Sequence, residues 1–445
     1  MAIARQHRRG TLAVLVAALA VGAGVLAGCG TDANGGGSTS SGSGSGSASS
    51  TIQIWEGYTD TEAKEFSKLV SEYEAQHPGQ KVDTLFVNND DTLQKVLTAV
   101  KGGSPPDIAY LYGSWAPQVA EIPQVVNLTQ TVQQSGVNWS DFYVGERDVA
   151  TVNGKVIGIP ALVDNLAVVY NKKLFAAAGL PVPNADWTWS DFVADAQKLT
   201  NAPTKQYGTA YVTPGTEDTV WHWEALLWEA GGGLLTADNK KAAFDSAAGL
   251  ESLNTLRTMA VTDKSMYLDP TDSAYGNLFN SGKIGMLVTG PWDLGSFPNV
   301  DYGVQVMPSY PGGSSGHQTI SGPDNWVVFN NGSGQVSAAE QFLLWLTAPA
   351  QVKAFSLATG DLPTRTSVAD ASGFDTQMNK LLPGVDTFIG NLANVKQARP
   401  QIAQYPQIST ILGNMVVSVV LGKSTPQAAL ASAASQVNAA LAAGS

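Results

Sequence analysis

Aromatic rings set beside hydroxyls, amides and carboxylates are the chemistry-bearing feature of this chain, and they recur where apolar runs end. There are 11 tryptophans, more than a core of this size calls for. Glu56, Tyr58 and Thr59 follow one apolar run, Asn88 and Asn89 a second, and Tyr112, Ser114 and Trp115 a third. Trp221 and His222 open a helical stretch in which Trp223 turns inward with Leu226 and Leu227. Such sets suit a carbohydrate: the C–H faces of a sugar stack on flat rings, and its hydroxyls need oriented carboxylate, amide or guanidinium partners.

Catalysis is a different use of the same residues. Glycoside hydrolysis needs two carboxylates about 5 to 10 Å apart, and Glu56, Asp164, Asp293 and Asp324 are acids enough, but none lies in a catalytic motif. After the first 50 residues the only histidines are His77, His222 and His317, without metal-ligand spacing, and no Gly-x-Ser-x-Gly elbow occurs. No catalytic residue, metal or cofactor is expected. A surface glycoside hydrolase remains one alternative; a binder of another solute is the other. Iron would want clustered tyrosines with a histidine, and a polyamine would want acids sandwiched by aromatics, which composition allows.

The elements that must position these residues begin near Thr51. Residues 51–55, 82–87 and 108–111 read as strands. Between them Phe66, Leu69, Val70 and Tyr73 make one helical stripe, stopped at His77-Pro78-Gly79, and Leu93, Val96, Leu97 and Val100 make another. This β-α-β-α-β order predicts a parallel sheet covered by helices, with ligands beyond the carboxyl ends of the strands. Further strands are expected at 154–160 and 166–170, helices near 190–199, 221–230 and 250–259, β structure between 302 and 328, and mainly helices after 338. About 395 residues remain after the N-terminal region, a length for two domains or three.

That N-terminal region is an address. Arg5, Arg8 and Arg9 precede an apolar run at 12–26, and Leu26-Ala27-Gly28-Cys29 ends it at the only cysteine of the chain. This order predicts a lipoprotein-type signal peptide over 1–28, cleaved before Cys29, which is then acylated. A Gly/Ser-rich tether follows at 29–50. Without the signal, 22 basic residues face 37 acidic ones, a balance that repels nucleic acid and anionic headgroups. The expected place is the extracellular face of the cytoplasmic membrane, reached by the lipid anchor only.

Read together, Trp55, Pro106-Asp107-Ile108, Gly158-Ile159-Pro160, Tyr170-Asn171-Lys172, the stretch 279–286 with Gly290-Pro291-Trp292, Asp361-Leu362-Pro363 with Arg365, and Gly422-Lys423-Ser424 make the chain resemble family-1 extracellular solute-binding proteins. These are the sugar-capturing lipoproteins of ABC importers, maltose-binding protein among them, and the resemblance covers nearly all of 51–445. It implies a two-lobed α/β fold, each lobe a mostly parallel sheet flanked by helices, with the ligand in the cleft between. Lobe 1 would be 51–161 and 293–345, lobe 2 162–292 and 346–445, with crossings near Leu162, Gly290 and Trp345. The resemblance also implies that Trp292, next to Asp293, stacks on a sugar ring and that Asp164 accepts a sugar hydroxyl at the hinge. Gly322 would open a ligand-side turn where Asp324 and Asn325 bind hydroxyls. Asp361 and Arg365 would either reach the cleft or pair with each other. The Tyr112-Gly113-Ser114-Trp115 loop lacks the charged residues of the maltose-binding pattern, which puts maltose in doubt. Implied partners are a sugar, expected to be an oligosaccharide, and the transmembrane subunits of an ABC permease, with the protein a monomer.

Overall fold

The computed structural model describes residues 51–310 and 316–444; the signal, Cys29 and the tether lie outside the described residues. Twelve strands are present among them: β1 Thr51–Glu56, β2 Lys81–Phe86, β3 Ile108–Tyr112, β4 Thr151–Val152, β5 Lys155–Val156, β6 Ile159–Leu162, β7 Ala167–Asn171, β8 Thr209–Val212, β9 Met266–Asp269, β10 Met286–Thr289, β11 Tyr302–Gln305 and β12 Asp324–Val328. β4 and β5 form a separate small hairpin.

The first sheet has the order β2-β1-β3-β12-β6. β1 pairs parallel with β2 and β3, and β12 runs antiparallel to both β3 and β6. Alternation along the strands separates two cores, because successive side chains point to opposite faces. Ile108 and Tyr110 join Phe66, Leu69 and Tyr73 of the helix Asp60–Gln76, whereas Ala109 and Leu111 face a second core shared with the helix Glu217–Glu229 and the C-terminal helices. Pro160 fits because β6 is an edge strand with no further neighbour to receive an N–H.

The second sheet repeats this plan. β8 and β9 pair parallel, and β7 lies antiparallel between β10 and β11. A parallel bridge from Tyr207 to Ile284, with Met286 N–H donating to Gly208 O at 2.9 Å, joins the two ladders in the order β9-β8-β10-β7-β11. Ala167 and Val169 face a third core closed by Phe279, Phe297, Met378 and Phe388.

Three expectations are corrected by the pairing. The β-α-β-α-β unit is parallel as expected, but each sheet is mixed rather than mostly parallel: two junctions are parallel and two antiparallel, since the return strands β12 and β7 insert against the direction of the others. β11, placed by sequence in lobe 1, belongs to the second sheet, so the chain returns to the first sheet at β12 rather than at residue 293. The second crossing consequently falls between β11 and β12, not near Gly290. The tryptophan count also misleads, because Trp187, Trp189, Trp223, Trp228 and Trp326 are buried in the cores.

Candidate functional site

The strand ends of the two sheets converge on a cleft of about 480 Å³. From the first sheet come Thr59 after β1, Asn88, Asn89 and Asp90 after β2, Tyr112 at the end of β3 and Asp324 at the start of β12. From the second come Asp218 and Trp221 on the helix after β8, Asp272 and Tyr275 after β9, and Trp292 and Asp293 after β10. Asp164 and Gly322 reach it from the segments that join the sheets, and Arg399 from the coil before the helix Tyr405–Val420. Local chemistry fixes several of these. The Asn88 side chain caps the helix Asn89–Lys101 by accepting the Asp90 N–H at 3.1 Å, which holds the second strand-end loop at the cleft. A register shift between Asp324 and Asn325 marks a bulge, a device that re-aims side chains at a strand end.

One wall is aromatic. The Trp221 and Trp292 rings lie 5.8 Å apart at 35°. Trp292 folds back over Gly290, where a Cβ would stand 1.7 Å from the ring, and a Cβ on Gly322 would stand 3.3 Å from Trp221. These two glycines let the rings lie flat against backbone. Trp221 is 7% exposed, and its indole Nε1–H has no partner among the protein groups. Trp292 is half-buried and presents part of its ring to the cleft.

The remaining lining is acidic. Nine carboxylates, from Asp60, Glu62, Asp90, Asp164, Glu217, Asp218, Asp272, Asp293 and Asp324, face two cations, Lys64 and Arg399. Arg399 is committed to Glu217, whose Oε1 it meets at 2.8 Å, and the same carboxylate accepts from Tyr405 at 3.0 Å, from Ser114 at 3.3 Å and from Ser409. Asp324 accepts from the Tyr110 hydroxyl at 2.5 Å and the Gly113 N–H at 3.3 Å; burial pushes its carboxyl up to about 7. Asp90 accepts from Tyr112 at 3.1 Å, from the Thr216 hydroxyl and from the Asp218 N–H at 3.4 Å, and burial with the Asp218 charge raises it to about 7. Burial, then the charges of Asp218 and Asp90, raises Asp272 to about 10. Asp293 accepts from Thr289 at 2.6 Å and is raised by burial to about 6. Asp164, 5% exposed, is pushed well above the usual carboxylate range by burial first and then by Asp361 and Glu62; its Oδ1 has no hydrogen-bond partner in the protein.

Of the residues singled out from sequence, Thr59, Asn88, Asn89, Tyr112, Asp164, Trp221, Trp292, Asp293, Gly322 and Asp324 line the cleft. Eight do not. Glu56 is buried and accepts the Tyr58 N–H at 2.7 Å, while Tyr58 packs edge-on to Phe66, Tyr110 and Trp326. Both continue the inward parity of Ile52 and Ile54. The 3-10 turn Gly113–Trp115 rotates Ser114 towards Glu217 and Trp115 into the shared core. His222 is turned into the protein, with Nδ1 2.9 Å from the Asp218 carbonyl oxygen. Asn325 points away from Asp324, towards Gly158. Asp361 is fully buried behind the cleft, and Arg365 pairs not with it but with Asp141 at 3.2 Å, lying over the Phe142 ring.

Sequence reasoning missed Asp60, Glu62, Asp90, Glu217, Asp218, Asp272, Tyr275 and Arg399. Asp60 and Asp90 sit in the first turns of the helices that follow β1 and β2, at strand ends that the β-α-β reading marked. Asp272 and Tyr275 follow β9, a strand that was not foreseen. No group of three or more His, Cys, Asp or Glu side chains arranged to hold a metal ion occurs among the described residues, and no helix there is long and apolar enough to cross a membrane.

Residues 59–353 match the profile of the bacterial extracellular solute-binding protein family. The cyclic α-maltosyl-1,6-maltose binding protein of Arthrobacter globiformis is 29% identical, with a TM-score of 0.70 over 88% of this chain and 99% of that one. An ABC substrate-binding protein of Listeria monocytogenes, solved in complex with cycloalternan, is 25% identical, with a TM-score of 0.78 over 88% and 99%. In sequence, the sn-glycerol-3-phosphate-binding periplasmic protein UgpB of Escherichia coli is 22% identical over 409 residues, 87% of this chain and 92% of its own.

Proposed function

Because the chain belongs to the bacterial extracellular solute-binding protein family, we propose that it captures an oligosaccharide in the cleft between its sheets and delivers it to the permease of an ABC importer. The observation that carries the sugar reading is the Trp221–Trp292 wall facing unpartnered polar atoms on Trp221 and Asp164. A ring stacks on the wall while its hydroxyls engage the indole N–H and the carboxyl. A phosphate ester, the ligand named for UgpB, is disfavoured: the lining offers nine acidic side chains against two cations, of which Lys64 is exposed and Arg399 is already paired with Glu217, so no free cation among the described residues waits inside for a phosphate. The protein acts by binding and carries out no catalysis.

The lobes are proposed to hinge where the chain leaves one sheet for the other, at 163–166 between β6 and β7 and between β11 and β12, and after the helix Ser333–Leu346. The solute draws the lobes together, so small-angle scattering should give a smaller radius of gyration with the cognate sugar. Calorimetry against a panel of oligosaccharides, glycerol 3-phosphate and spermidine tests the ligand class; tight binding of either non-sugar alone would overturn it. The Cys29 anchor, the outer face of the cytoplasmic membrane and the monomeric state belong to the same proposal. Cys29→Ser should release the protein to the medium or leave uncleaved precursor, and an unchanged lipid-anchored form in membrane fractions would refute the anchor.

A further inference from the structure

The carboxylates of the cleft are more numerous than sugar hydroxyls need, and their placement is specific. Asp90 comes from the first turn of the helix after β2, Asp218 from the first turn of the helix after β8 and Asp272 from the segment after β9, so the two sheets bring three acids to one cleft, where the charges of Asp218 and Asp90 reach Asp272. The Asp90 carboxylate accepts hydrogen bonds from Thr216 and from the Asp218 backbone, which holds it against the second sheet's residues. The groups facing these acids are the Tyr112 hydroxyl on Asp90, His222 with Nδ1 3.4 Å from Asp218 Oδ1, and Asp293, Asp269 and Tyr275 around Asp272. Lys64 is exposed and Arg399 belongs to Glu217. Independently, Asp164 Oδ1 and Trp221 Nε1 are buried, line the cleft and have no partner in the protein.

We infer that the saccharide taken by this cleft carries a protonated amine, whose ammonium group sits among Asp90, Asp218 and Asp272 while a ring stacks on Trp221 and Trp292. This rests on the saccharide reading above and narrows it. Like charges gathered in a partly desolvated place cannot all ionise without a counter-charge. An ammonium supplies that charge and three donors. A neutral sugar supplies hydroxyls but no charge, so the three acids can stay together beside it only by keeping protons.

Proton release distinguishes the two. Asp90 and Asp272 hold protons near neutrality; a bound cation lowers their affinity for protons, so binding of an amino sugar expels protons and strengthens as pH rises. A neutral sugar has no such requirement. The test is calorimetry on the whole chain with glucosamine-containing di- and trisaccharides and their uncharged glucose and N-acetyl counterparts, in two buffers of different ionisation enthalpy, between about pH 5.5 and pH 7, where the amine stays charged.

The expected result is binding of the amino members at least about tenfold tighter than of the neutral ones, with protons released and affinity rising with pH. Asp272→Asn should shrink that ratio, and Asp90→Asn should do the same should the first variant fold poorly. Equal or tighter binding of the neutral members, or amine binding without proton release, would overturn the inference and leave the saccharide reading standing. Binding of spermidine with no saccharide bound would overturn the saccharide reading itself.

Discussion

In the first lobe one ladder of hydrogen bonds runs unbroken from β2 to β6, whereas the second lobe builds the same strand order from two ladders that meet at a short seam. At that seam Tyr207, Gly208 and Gly285 carry the bonds, and a Cβ on Gly208 would stand 1.9 Å from the Ala196 carbonyl oxygen. The helix Trp189–Leu199 therefore presses on the seam so closely that only glycine fits. The two lobes also contribute differently to the cleft. Both bring acids, Asp60, Glu62, Asp90 and Asp324 from the first and Glu217, Asp218, Asp272 and Asp293 from the second, but the first adds Thr59, Asn88, Asn89 and Tyr112 while the second adds both tryptophans. One plan thus serves two tasks, a polar floor and an aromatic wall.

The sharpest way to break this comparison is to exchange the roles of two tryptophans. Trp326, 2% exposed and stacked on Phe66 in the first lobe, is structural: Trp326→Ala should cost about 3 to 5 kcal/mol of stability, read by denaturant unfolding. Trp292→Ala should instead remove about 2 to 4 kcal/mol of ligand binding, about 30- to 1000-fold in affinity, with its melting transition kept. Near-native affinity in that variant would return Trp292 to a packing role.

Next comes pH. The folded-state pKa of Asp324 lies above its unfolded value, so the stability this group contributes is fully present below the unfolded pKa and is lost as pH rises through about 7. Asp141 behaves in the opposite sense: burial opposes ionisation, but hydrogen bonds from Ser367, Thr366 and Arg365 outweigh it and lower its pKa, so its contribution is lost only in strong acid. The protein without solute should therefore gain about 2 to 3 kcal/mol from Asp324 on going from about pH 8 to about pH 5. Melting temperatures that fall over this range, or an unchanged profile in Asp324→Asn, would contradict the assignment. The smallest effect is Asn88→Ala, which removes a cap and should cost about 1 kcal/mol by thermal unfolding.

The first three strand ends were legible because alternating Ile52 and Ile54, then the fully apolar run Ile108 to Leu111, fix both the strands and the segments that follow. Thr59, Asn88, Asn89 and Tyr112 reach the cleft for that reason. Parity along β1, carried two residues further, would have sent Glu56 and Tyr58 inward as the structure does. The second lobe was harder to read. β9 is four residues long, and with it unseen Asp272 and Tyr275 had no strand end to follow. Arg399 sits in coil before a helix, so nothing in local sequence gives its direction; only the fully buried network of Glu217 and Tyr405 does. The aromatic count failed because a chain with three separate cores has more interior to fill than one core would.

Asp90 also ties the halves of the molecule together. Its bonds to Thr216 and Asp218 join the first turn of a first-lobe helix to the start of a second-lobe helix. Any parting of the lobes at this point must break both bonds, so this one side chain adds to the free energy of opening whether or not a solute is bound.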